Sequence, residues 1–185
     1  MTQGGKETTP GTRWTEHPRL MRDPVHLLAF GFGSGLIPVA PGTFGTLVAI
    51  PITLFVMQFG FAVHLAFAIL AAIFGIYVCG ESARRLGVHD HPGIVWDEIT
   101  GFAVTMLTVP HSAGGGSSIV AAGGGSRQIY WVLAGFALFR LLDIWKPWPI
   151  READHSLSGG LGIMLDDVIA GIFAAAILLG VRYLL

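Results

Sequence analysis

Apolar runs separated by short polar clusters fill the chain beyond residue 22. The first run, residues 25–40, is shorter than the roughly 20 residues a spanning helix needs. Gly31, Gly33, Gly35 and Pro38 interrupt it, which predicts a re-entrant or interfacial segment. Pro41-Gly42-Thr43-Phe44-Gly45 is a breaker cluster. Thr43 is the candidate N-cap of a helix running to about Phe59, and Pro51 is a candidate kink within it. Gly60 marks a turn, and a long apolar run from Ala62 to Gly80 follows, interrupted only by His64. Three more runs cover 97–110, 129–143 and 161–185. The pattern predicts an all-α, polytopic membrane bundle of about five apolar segments behind the re-entrant N-terminal piece.

The polar clusters orient these segments. Arg84 and Arg85 close the run ending at Gly80, and the polar tail over residues 1–22 carries Lys6, Arg13, Arg19 and Arg22. Cations beside a membrane segment favour the cytoplasmic side. If each later run crosses once, Asp97-Glu98, the Arg140 to Lys146 stretch and Asp166-Asp167 all reach that same side. Residues 112–126, SAGGGSSIVAAGGGS, have linker composition and fall on the outer face. One membrane-embedded domain over 23–185 therefore follows the tail.

Composition fits this picture and excludes others. Hydrophobic residues make up 52% of the chain and charged ones 12%, against roughly 25% charged in a soluble domain. A net charge of −1 gives no basic surface for nucleic acid. The tail lacks the apolar core of a secretory signal. Cys79 is the single cysteine, so no disulfide framework or multi-cysteine zinc site can form within one chain. Cys79 and Arg85 match the spacing of a cysteine-dependent phosphatase loop, but Glu81 would lie inside the anion cradle and an apolar setting disfavours the thiolate.

Ionisable groups at membrane depth cost about 2.5–3.5 kcal/mol each on insertion scales, so their default reading is functional. The plain alternative is an Arg140–Asp143 pair at i, i+3 and acids resting at the water boundary. Neighbouring carboxylates such as Asp97-Glu98 and Asp166-Asp167 diverge by about 100° on a helix. One member can hold a metal while the other orients water or a ligand. Oxygen donors with room for water and phosphate favour Mg²⁺. Arg140 and Lys146 supply cations for phosphate oxygens.

Gly42 and Thr43 at a helix start could offer amides to an anion, and capping and close packing explain them equally well. His91, in His89-Asp90-His91, is a candidate ligand, acid or orienting group. The Gly31 to Gly35 run lacks the strand and downstream acid of a dinucleotide fold. An ion or solute transporter with intramembrane acids is the reading outside enzymology.

Four ordered stretches, GFGSGLIPVAPGTFG (31–45), GVHDHPGIVWDE (87–98), FRLLDIWKPWPIR (139–151) and GGLGIMLDDVIAG (159–171), resemble the bacterial phosphatidylglycerophosphatase A family. The resemblance covers about residues 24–185 apart from the Gly/Ser stretch. It implies a Mg²⁺-dependent phosphatase of the bacterial inner membrane that converts phosphatidylglycerophosphate to phosphatidylglycerol and phosphate. It carries the family's acidic positions onto Asp97, Glu98, Asp143, Asp166 and Asp167, with Lys146 in the proline-rich motif. Attack by water or by an aspartate stays open, as does another lipid phosphate as substrate or a phosphotransferase reaction. The match sets neither metal count nor oligomeric state.

Overall fold

The computed structural model describes residues 20–88, 91–111, 125–148, 150–152 and 159–184, and every regular element among them is helical. Helix α1 (Pro24–Ala29) and a 3-10 turn (Gly31–Leu36) come first. Then follow α2 (Pro41–Met57), α3 (Phe61–Leu86), α4 (Trp96–Thr105, continued by a 3-10 turn, Met106–Thr108), α5 (Gly125–Trp145) and α6 (Gly159–Leu184). The sequence expectations at His89-Asp90, over 112–124 and over 153–158 lie outside the described residues.

Among the described residues, three helices are long and apolar enough to cross a membrane: α3, the 128–145 part of α5, and α6. Large apolar side chains on α3, among them Leu70, Ile73 and Tyr77, face outward, where a bilayer would cover them. The other two expected runs are shorter. Helix α2 has 17 residues, and α4 has only 10 before its three-residue 3-10 turn, together about 20 Å. Helix α4 ends early because Val109 precedes Pro110 and is extended, with ψ 139°. The carbonyl this leaves at Thr108 accepts from Arg182 Nη1 at 3.1 Å.

Two boundaries differ from the sequence reading. Pro41, whose fixed φ suits the first helical position, opens α2, so Ala40 rather than Thr43 is its N-cap. Helix α5 begins at Gly125, so positions 125 and 126 belong to it and not to the Gly/Ser connection.

Side-chain contacts fix the helix directions. Thr105 and Thr108 hydroxyls donate to Gly171 and Ala175 carbonyls at 3.5 and 3.2 Å, so α4 and α6 run parallel. Helix α3 runs against both. Trp96 Nε1 donates to Ala71 O at 3.1 Å, while Gly80 meets Gly160 so closely that a side chain on either would strike backbone. Phe102, Phe139, Ile99, Met106, Ala170, Ala174 and Leu178 form the core of α4, α5 and α6. The N-terminal piece lies over one end of this bundle. Val95 N donates to Ala29 O at 2.8 Å, His26 Nδ1 meets Ser82 Oγ at 2.9 Å, and Arg85 bridges Asp23 and Glu81. Burial pushes His26 below the ordinary imidazole range.

Candidate active site

The same end of the bundle collects the acids that the sequence singles out. Asp97 and Glu98 occupy the first turn of α4, where the helix dipole favours negative charge. Asp97 Oδ1 accepts from Glu98 N at 3.1 Å. Asp166 and Asp167 are buried about two turns into α6. Asp143 comes from the last turns of α5, one turn after Arg140.

Arg140 Nη1 stands 2.5 Å from Asp143 Oδ2 and 3.7 Å from Glu98 Oε1, and so ties α5 to α4. Lys146 Nζ lies 2.7 Å from Asp166 Oδ2 and ties α5 to α6. The Lys146 side chain is 30% exposed, against 10–14% for Asp166, Arg140, Glu98 and Asp143, so the cluster opens at Lys146. Its backbone is left-handed, φ 44°, immediately after α5 ends. Glycine usually fills that position, and another residue there costs about 1–2 kcal/mol. The Lys146 amide still closes onto Leu142 O at 2.8 Å, and the turn carries its ammonium to Asp166.

Two groups of carboxylates converge closely enough to hold a cation: Asp97, Glu98 and Asp167, and Asp143, Asp166 and Asp167. Within each group the donor atoms lie within 4.8 Å of one another, and Asp167 belongs to both. Glu98 Oε2 and Asp167 Oδ2 are buried and make no hydrogen bond among the described residues. A buried carboxylate oxygen without a donor is costly, and an all-oxygen set of this kind fits a hard divalent cation. Both acids of the Asp97-Glu98 pair enter the same group, although they diverge along α4.

Of the roles open to Gly42, the structure supports close packing. A Cβ there would run into Glu98 Oε1 and approach both terminal nitrogens of Arg140 within 3.1 Å. Glycine thus lets α2 close against the pair. Thr43 is less suited to anion binding than its position suggested, because its amide donates to Ala40 O at 2.9 Å. His91 Nδ1 accepts from Gly93 N at 3.0 Å and its ring packs on Phe30. The structure places it in the loop ahead of α4 and in neither carboxylate group. Cys79 is fully buried, with its thiol 3.9 Å from Met164 Sδ, and Glu81 is bound by Arg84 and Arg85. No thiolate loop exists there.

The family model for phosphatidylglycerophosphatase A matches residues 27–182. The chain belongs to that family. It is 43% identical over 158 residues to the phosphatidylglycerophosphatase A of Escherichia coli (strain K12), covering 85% of this chain and 83% of that one. The enzyme of that name from Haemophilus influenzae is 41% identical over 162 residues, covering 87% and 90%. A protein of Bacteroides thetaiotaomicron named putative phosphatidylinositol-3-phosphatase is 34% identical over 164 residues, covering 86% and 94%. No solved structure matches the chain. The matched span begins within α1 and ends within α6, and so includes every residue of the acidic cluster.

Proposed function

We propose that the chain hydrolyses the terminal phosphomonoester of phosphatidylglycerophosphate at the cytoplasmic face of a bacterial inner membrane, using Mg²⁺. The observation that carries this is the pair of carboxylate groups sharing Asp167, set in a helical membrane bundle of the phosphatidylglycerophosphatase A family. Asp97, Glu98, Asp143, Asp166 and Asp167 are the metal-holding residues. When bound, Mg²⁺ supplies neutralisation of the phosphate charge and Lewis-acid polarisation.

Lys146, at the open side, receives the phosphate, and Arg140 stabilises charge developing on its oxygens. Acyl chains stay in the bilayer while the headgroup reaches the cluster. The cytoplasmic assignment rests on Arg84 and Arg85 ending α3 on the acidic side of the bundle. In this topology α2 and α4 complete the five apolar segments beside the three long helices.

The Bacteroides relative's name favours one alternative, a different lipid phosphate as substrate. Phosphate release by the purified, folded protein separates the two. Phosphatidylglycerophosphate and phosphatidylinositol 3-phosphate are compared at equal surface concentration, with Mg²⁺ and with chelator. Faster Mg²⁺-dependent release from the first is expected. Preference for the second would move the chain to the alternative, and release unaffected by chelator would remove the metal from the mechanism.

A further inference from the structure

His64 and His111 play no part in that chemistry, and nothing in the sequence pairs them. In the fold they meet at the end of the bundle remote from the carboxylates. His64 Nδ1 lies 2.7 Å from His111 Nε2, with ring centroids 5.0 Å apart. His64 is fully buried near the start of α3, and His111 is half-buried just beyond α4, with its ring edge-on to Phe61 at 5.5 Å.

A hydrogen bond between two imidazole nitrogens needs one N–H and one lone pair, hence a single bridging proton. The first added proton gives an imidazolium–imidazole pair that keeps the bridge; when both rings are imidazolium no lone pair remains to accept, and two like charges oppose each other. We propose that the His64–His111 pair is a proton-controlled clasp, which fastens the segment after α4 to α3 while one ring keeps its lone pair and releases it when both rings are protonated.

The surroundings favour this behaviour. On α6, Arg182 bonds Thr108 O three positions before His111. Helix α2 contributes no ionisable residue, and neither α3 before Glu81, apart from Tyr77 and Cys79, nor α4 after Glu98 contributes an acid. Among the described residues no carboxylate stands at this end to compensate a second proton. Burial also pushes His111 below the ordinary imidazole value. Stability contributed by the pair is therefore present at neutral pH and lost as pH falls through the folded-state value. The clasp holds the far end of the helix whose first turn carries Asp97 and Glu98.

The test uses the full chain in lipid nanodiscs between about pH 8 and about pH 5, the range in which imidazoles titrate. Melting temperature is compared between the wild type and His111→Gln, whose amide can hydrogen-bond but does not titrate. The wild type is expected to lose roughly 4 °C more than the variant over that range. A second measurement needs no variant. Amide exchange of residues 106–111, corrected for intrinsic rate, should accelerate roughly tenfold or more on acidification of the wild type. Equal pH dependence of melting in the two proteins would overturn the clasp. So would unchanged protection of 106–111, which decides the matter if His111→Gln does not fold.

Discussion

The two ends of the bundle treat polar groups in opposite ways. At one end five carboxylates face Arg140 and Lys146, and Glu98 Oε2 and Asp167 Oδ2 have no donor among the described residues. At the other, Arg182 caps the Thr108 carbonyl and the two histidines bond each other, without a described acid. The second end pairs its histidines with each other and leaves His64 Nε2 buried without a hydrogen bond among the described residues. The first leaves an excess of buried negative charge, a cost to folding that a bound cation and an anionic substrate would offset. The comparison separates groups that hold the helices together from groups that wait for a ligand.

The largest effect belongs to Asp167, the residue common to both carboxylate groups. Asp167→Asn should lower phosphate release by roughly 10³-fold, while the variant, relieved of one buried charge, melts no lower than the wild type in chelator. Added Mg²⁺ should raise the melting temperature of the wild type through binding and leave that of the variant unchanged. A variant that keeps its Mg²⁺ response would make the acidic end no more a metal site than the histidine end.

Lys146 tests whether strain at the acidic end serves the site. Lys146→Ala and Lys146→Gly should both cut turnover by roughly 10²-fold, as expected for loss of a charge stabiliser. The glycine variant should be the more stable by about 1 kcal/mol, because it accepts φ 44° without a Cβ penalty. Chemical denaturation of the two side by side gives the answer; equal stabilities would mean that the left-handed turn carries no strain.

Gly42→Ala should be felt at both levels. Its methyl group displaces Glu98 and Arg140, which should lower stability by about 1–3 kcal/mol and turnover by roughly tenfold. A variant with wild-type kinetics would show that the Glu98–Arg140 geometry is not needed for turnover. The smallest effect is expected at the other end. Arg182→Gln should lower stability by about 1 kcal/mol or less and leave kcat unchanged, since Arg182 serves only an exposed helix terminus. A large loss of kcat would join the two ends into one functional unit.

The helical class, the membrane setting and the acids to watch are legible in the residues alone. Long apolar runs leave few other solutions in a bilayer, and acids beside such runs are costly enough to stand out. Counting crossings also put Asp97-Glu98, Asp143 and Asp166-Asp167 on one side, the side where the helix directions bring them together. The packed fold adds the bond from Arg182 to Thr108 O, the room that Gly42 leaves for Glu98 and Arg140, and the meeting of His64 with His111 across 47 positions.

Hydropathy records how apolar a segment is but not which neighbour takes up its unpaired carbonyls, so the end of the run at Pro110 is legible while the bond from Arg182 to Thr108 O is not. A glycine reads alike whether it caps a helix or admits a side chain from another, as Gly42 illustrates. Pairings between distant helices depend on rotation about each axis, and packing of Phe102, Phe139 and their neighbours sets that rotation.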